Sequence, residues 1–478
     1  MALALLASTT ALAEPGCAQA AMAPTDRAAV EAELRELNSM QSELDRRIKA
    51  LEAKLAAPNA AGTTASAAVA ALPPGGPQQM PPVAVASAPD GPSVELYGHA
   101  MFDMIQDFDR VNPDWEGTFR PSRIPTTLGQ FGSPGQTTLS VRQSRLGIQG
   151  KSLIADTPAA FRIEFDFFGV GPDAGQTTIR LRHAYAEWGP LLAGQTFTLF
   201  QDGDVFPKII DYWGPAGIIS IRNPQLRWTF VDRDGWKAAV ALERPSEVID
   251  TGEIRLIDPD LATNLRSNEE FPDLTAQLRY KGANGHVQLA GVARKIGWDT
   301  VGTPDGEPEG SVFGWGLNLS GSARLGMATF RGGIVYGHGI GNYMNDGGVD
   351  LAPSAALQPG PVPPIAGVTP PPNLLVEAKA LPLLGVSAYV DLAWSKRWSS
   401  SIGYSRTDAD NTNFQSGSAI DSGEYASANL LFAPAPNILT GGELLWGRRR
   451  DFDGDSGTAT RFQYSFKYLF NTGNIVKK

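Results

Sequence analysis

Arg145, Arg162, Arg180 and Arg182 lie in three segments that read "SRLGIQG" (144–150), "AAFRIEFDFFGV" (159–170) and "IRLRHAYAEW" (179–188). A guanidinium is planar, stays protonated, and offers a fork of donors that matches a carboxylate or phosphate. Several of them brought onto one surface would hold small anions. The competing expectation is structural: Glu164, Asp166 and Glu187 stand in the same segments and could simply neutralise the arginines. A second acidic group, Asp202, Asp204 and Asp211, falls in "QDGDVFPKIIDYWGPAGII" (201–219), which has the composition of a connection.

Other chemistries find little support. No Ser/His/acid arrangement points to hydrolysis, so no enzyme is expected. His99, His183, His286 and His338 are scattered without metal-ligand spacing, and neither metal nor cofactor is expected. "DFDGDSG" (451–457) lacks the terminal Glu of an EF-hand loop and reads as an acidic surface loop. The net charge of −10 argues against nucleic acid, whose phosphates call for a basic footprint.

The elements that must position the arginines are strands. In "RFQYSFKYLF" (461–470) an aromatic recurs at every second position, with Arg461, Gln463, Ser465 and Lys467 between them. Period two sends alternate side chains to opposite faces. In "AAFRIEFDFFGV", Phe161, Ile163, Phe165 and Phe167 share one face; Arg162, Glu164, Asp166 and Phe168 share the other. In "VSAYVDLAW" (386–394), Val386, Ala388, Val390, Leu392 and Trp394 lie on one side.

Sixteen such segments are predicted from residue 94 onward: 94–108, 137–150, 159–170, 177–189, 191–200, 222–231, 235–245, 271–281, 286–298, 311–325, 327–339, 383–395, 397–408, 423–433, 437–449 and 459–470. The register of 286–298 stays open. Joints alternate between short ("DRDG" 232–235, "GANG" 282–285, "SKRW" 395–398, "APAPN" 433–437) and long (109–136, 201–221, 246–270, 340–382). Even strand number, strands of about 9–11 residues or more, and short turns at one end only are the marks of a transmembrane barrel. A soluble sandwich has no reason to alternate its joints. After the leader no segment is apolar for long enough to be a membrane helix, so the chain must cross as a closed barrel, consistent with a mean hydropathy of −0.15. The aromatics of 461–470 are therefore expected to face lipid and the arginines the lumen. Arg142 falls on the wrong phase and would join them only through a bulge.

Ahead of the barrel the chain changes character twice. Residues 1–20 read as a secretory leader with Ala18-Gln19-Ala20 as cleavage site and Ala13 as runner-up; cleavage after Ala20 removes Cys17, the only cysteine. No lipobox Leu precedes Cys17. Residues 26–57 carry a heptad, with Val30, Leu37, Leu44 and Leu51 at d and Leu34, Gln41, Ile48 and Leu55 at a, which predicts a self-associating coiled coil. Residues 58–92 are an Ala/Pro/Gly linker with nothing to bury, and 93–478 form the barrel. Within the long joint, "VPPIAGVTPPP" (362–372) reads as exposed loop.

"SRLGIQG" resembles the second-strand signature of trimeric Gram-negative porins, "IRLRHAYAEW" their fourth strand, and "IRNPQ" (221–225) the strand after their inward-folded third loop. With a coiled coil and Ala/Pro linker in front, the chain is similar to DcaP-type porins of dicarboxylate uptake, and next to phosphate-selective porins. The resemblance implies a homotrimer in outer-membrane lipid, its coiled coil in the periplasm with peptidoglycan as a neighbour. It further implies that Arg145, Arg182 and Arg222 form a basic cluster at the constriction and that Glu164 is a lumen acid. Asp202, Asp204 and Asp211 would face that cluster from a third loop folded into the pore. The expected activity is passive diffusion of small anions, dicarboxylates foremost; the alternatives are a structural outer-membrane anchor or an unselective porin.

Overall fold

The computed structural model describes residues 91–359, 372–473 and 475. The leader, the heptad segment 26–57 and almost all of the linker 58–92 lie outside the described residues, as does most of "VPPIAGVTPPP".

The described chain forms a closed antiparallel barrel. Its strands are β1 (Ser93–Asp107), β2 (in two pieces, Gln136–Ser140 and Arg145–Ile154), β3 (Thr157–Asp166), β4 (Arg180–Trp188), β5 (Leu191–Phe197), β6 (Arg222–Arg233), β7 (Trp236–Glu243) and β8 (Leu265–Ser267 with Asp273–Gly282). The second half comprises β9 (Gly285–Thr300), β10 (Gly310–Leu325), β11 (Ala328–His338), β12 (Pro382–Ala393), β13 (Trp398–Ala409), β14 (Ile420–Ala435), β15 (Ile438–Asp451) and β16 (Ser456–Asn471). Each strand pairs with its sequence neighbours, and β1 closes on β16 from Tyr97 opposite Asn471 to Asp107 opposite Arg461. Closure leaves no edge strand, so every strand's backbone groups are satisfied within the ring. All sixteen expected strands are present, with ends that differ by a few residues.

The two faces of the wall obey the alternation. On β16, Arg461, Gln463, Ser465 and Lys467 are buried in the interior, while Tyr464, Phe466 and Tyr468 are exposed on the outside. Trp228 and Phe230 on β6 and Leu317 and Leu319 on β10 continue the outer apolar band. On β9 the register left open is now fixed: Gln288, Ala290, Val292, Arg294 and Ile296 turn inward, Val287 and Leu289 outward. Alternation is weak there because the inner face is itself apolar. Ala290 and Val292 pack against Phe200, Ile340, Tyr343 and Met344, all from connections that enter the barrel.

The long connection 339–381, of which only 362–372 was expected to be exposed loop, holds paired structure on either side of that stretch. Leu351–Pro359 pairs with Pro372–Ala380 as an antiparallel hairpin. The β7–β8 connection adds two short helices, α1 (Ile254–Ile257) and α2 (Pro259–Asn264), the second capped by the Asp258 carboxylate, which accepts from Leu261 N at 2.9 Å.

Candidate functional site: the arginine wall and the inward loop

Two irregularities shape the wall that carries the arginines. Between β3 and β4 the register shifts after Glu164, which faces His183, while Phe165 faces Leu181. The extra residue is Arg182. A bulge of this kind turns two successive side chains to one face, and Arg182 and His183 are both buried in the interior. In β2 the break at residues 141–144 is the irregularity that Arg142 required. Its side chain is buried, donates to Gly169 O at 3.2 Å, and lies 3.9 Å from the centroid of Phe168.

The arginines converge on two carboxylates. Arg180 grips Asp166 with both tines, Nε to Oδ1 at 3.0 Å and Nη2 to Oδ2 at 2.6 Å. Arg182 donates to Glu164 at 2.8 Å and to Asp166 at 2.9 Å, and Arg145 lies 3.3 Å from Glu164. Tyr97 OH also donates to Glu164, at 2.9 Å. Arg162 stands one row lower, donating to Gln149 at 2.8 Å with its guanidinium 5.6 Å from the Tyr97 ring. Three guanidinium charges therefore meet two carboxylate charges, a surplus of one. The neutralising expectation holds in part: Glu164 and Asp166 engage the arginines closely. Arg145 and Arg182 have almost no contact with solvent.

Arg222 is arranged differently. It is the first residue of β6, half-buried, and its guanidinium sits 5.3 Å from the Phe197 ring. No carboxylate among the described residues pairs with it, and the charges that act on it most strongly are Arg182 and Arg180.

The connection 198–221 folds inward and reaches the opposite wall. Asn318 of β10 donates to Phe200 O at 2.8 Å, Asp391 of β12 accepts from Lys208 N, and Ser405 of β13 accepts from Ala216 N at 2.9 Å. Glu443 of β15 accepts from Ile210 N and Asp211 N at 3.0 and 3.1 Å. Gly217 permits the tightest approach. A Cβ there would stand 2.2 Å from Arg406 O and 2.5 Å from Val386 O. Back on the arginine side, Tyr212 OH accepts from Arg182 at 3.0 Å, donates to Asp166 at 2.7 Å, and its ring stacks on Phe168 at 4.1 Å.

The acids of this loop do not stand where they were expected. Asp202 accepts from Arg279 of β8 at 2.9 Å and contacts His286 of β9 at 2.7 Å; Asp204 also pairs with Arg279, and its carbonyl accepts from Arg331 of β11. They thus serve the β8–β11 wall rather than the arginines of β2–β4. Asp211 braces the loop itself, accepting from Phe119 N at 3.0 Å, Gly214 N at 2.8 Å and Tyr425 OH at 3.2 Å. Burial raises the Asp211 carboxyl above its ordinary range. For Asp202 burial is the largest influence and raises its pKa, but the His286 hydrogen bond, with the His286 and Arg279 charges, outweighs it and the net shift is downward.

Asp202, Asp204 and His286 do come within 4.8 Å of one another, a proximity their sequence spacing did not suggest. Arg279 already supplies positive charge to both carboxylates, so this cluster does not resemble a metal centre.

The model of the DcaP outer membrane protein family matches residues 87–330. The chain belongs to that family. Among solved structures, the outer membrane channel DcaP of Acinetobacter baumannii superposes with a TM-score of 0.63 at 20% identity, covering 80% of this chain and 99% of that one. An anion-selective porin from Comamonas acidovorans follows at TM-score 0.50 and 11% identity, covering 79% and 100% respectively. At such identities the likeness is one of fold. The comparison with curated protein sequences gives no match.

For this DcaP-family protein the fold and the family together establish an outer-membrane β-barrel channel. Sequence reasoning missed Tyr212, Arg279, Arg331 and Glu443. Glu443 left a trace, since it is the lone acid in "TGGELLWG" and falls on the inward phase of β15. Arg279 and Arg331 likewise fall on inward phases, but their partners are set by the path of a loop, as is the position of Tyr212.

Proposed function

We propose that this channel passes small anions by diffusion and prefers dicarboxylates, with half-buried Arg222 as the member of the basic cluster that has no carboxylate partner among the described residues. The observation that carries this reading is the contrast between Arg222, with which no carboxylate among the described residues forms an ion pair, and Arg145, Arg180 and Arg182, which Glu164 and Asp166 engage. A solute carboxylate beside Arg222 would supply the countercharge that the wall withholds. The surplus positive charge of the neighbouring arginines strengthens the attraction, because the surroundings screen less than bulk water does. On the opposite wall Arg279 and Arg331 bind Asp202 and Asp204, and a second charged surface there would help orient a dipolar solute.

The assembly belongs to the same proposal. The heptad of 26–57 supports self-association, and the likeness to trimeric porins makes a homotrimer the proposed form, with the coiled coil on the periplasmic side and peptidoglycan near it. In support of that side, Ser93, the start of β1, pairs with Lys151 close to the short β2–β3 turn. An anchor would not need an arginine that has no carboxylate partner among the described residues.

The test is block of single-channel current by succinate. The wild-type channel should show voltage-dependent block at millimolar succinate, and Arg222→Ala should weaken it by about tenfold, the loss of one charge contact worth about 1–2 kcal/mol. Equal block in both proteins would remove Arg222 from the solute path.

A further inference from the structure

The extracellular connections line an open cavity that shares no residue with the arginine wall. It has a volume of about 510 Å³ and is bounded by the β7–β8 connection with α1 and α2, the β9–β10 turn, and the base of the Leu351–Pro359/Pro372–Ala380 hairpin. That volume falls within the roughly 300–1,000 Å³ of ordinary small-molecule sites. Its lining is mainly apolar: Ile249, Ile254, Leu261, Leu265, Trp298 and Val376.

Three acids stand among these side chains, and no arginine or lysine does: Asp250, Glu309 and Glu377. Asp250 is committed to the protein, accepting from Gly252 N at 2.8 Å and Gln415 Nε2 at 3.0 Å. The carboxylates of Glu309 and Glu377 have no hydrogen-bond or ion-pair partner among the described residues. Trp298 is held in place by Gly310. A Cβ on that glycine would lie 2.4 Å from the indole ring, so only glycine lets the ring rest against the β10 backbone. The cavity thus combines an aromatic ring, an aliphatic floor and two unneutralised carboxylates.

We infer that this cavity is a second ligand site, for an organic cation that carries an apolar or aromatic body. The apolar body would displace water from the aliphatic lining, and the cationic head would lie between the indole and the carboxylates. An ammonium is drawn to the face of tryptophan and to a carboxylate by the same electrostatics. A neutral ligand would use only the first of these contributions, and an anion would be repelled by Glu309 and Glu377. The site is chemically the reverse of the arginine wall, and the inference does not depend on the anion preference of the pore.

The test is calorimetric titration of the full chain in lipid nanodiscs with three probes of similar size: benzyltrimethylammonium, benzyl alcohol and benzenesulfonate. The cation should bind at least about tenfold more tightly than either of the others. Glu309→Gln with Glu377→Gln should bring the cation to within about twofold of benzyl alcohol, and Trp298→Leu should weaken the cation by about fivefold or more. Single-channel conductance, unchanged in all variants, verifies that the barrel is intact. Benzyl alcohol binding as tightly as the cation would overturn the ligand class. Cation binding that survives all three substitutions would place it elsewhere and overturn the site, as would the absence of binding.

Discussion

Arg182 and Arg222 are neighbours with different tasks, and the difference is measurable. Arg182 is fully buried and holds Glu164, Asp166 and Tyr212 at once. Truncating it leaves two buried carboxylates short of a partner, a loss that typically costs about 3–5 kcal/mol. Arg182→Ala should therefore lower the denaturant midpoint of the folded barrel markedly, whereas Arg222→Ala, which breaks no ion pair, should shift it by less than about 1 kcal/mol. Equal loss of stability in the two variants, followed by heat-modifiable gel mobility or denaturant titration, would contradict this division. The inward phase of Arg145, Arg162, Arg180 and Arg182 was legible in the sequence because each has an outward apolar residue directly beside it, Leu146, Ile163 and Leu181. Their pairing with Glu164 and Asp166 was legible as an alternative for the same reason. The bulge that turns both Arg182 and His183 inward was not, since an extra residue in a strand leaves no mark on composition.

The strands were readable because lipid and water make opposite demands on the two faces of every element. On β16 that demand gives the outward row Tyr464, Phe466, Tyr468. Placing a charge in this row should be costly: Phe466→Arg is expected to destabilise the barrel by about 2–4 kcal/mol if the position lies near the bilayer midplane. The same change at Ser456, at the extracellular end of the strand, should cost under about 1 kcal/mol. Refolding yields into lipid vesicles across a urea series would show the contrast, and equal effects at the two positions would contradict the membrane placement of β16. The connections were much less readable. Residues 198–221 meet Glu443, more than two hundred positions later, and Asp202 and Asp204 find Arg279 and His286 instead of the arginines of β2–β4. No local pattern encodes which part of a barrel wall a long loop will touch. The hairpin Leu351–Pro359/Pro372–Ala380 escaped for a related reason. Its strands carry Pro353, Pro359 and Pro372, which lowers their resemblance to a sheet strand.

At the scale of the whole molecule, the barrel is complete in its hydrogen bonding from Ser93 to Asn471, with β1 sealed against β16. Residues 21–92 are therefore expected to be dispensable for folding, though not for assembly through their heptads. A chain lacking them should insert into lipid vesicles with wild-type heat-modifiability, while crosslinking should report fewer stable oligomers; failure to insert would contradict the division into domains. The channel's preference for anions rests on a wall where arginines outnumber their carboxylates and Arg222 has no carboxylate partner among the described residues. The reversal potential of the reconstituted wild-type channel in a tenfold potassium chloride gradient tests it most directly. The expected sign favours chloride and is diminished in Arg222→Ala; a potential that favours potassium in the wild type would refute an anion-preferring pore.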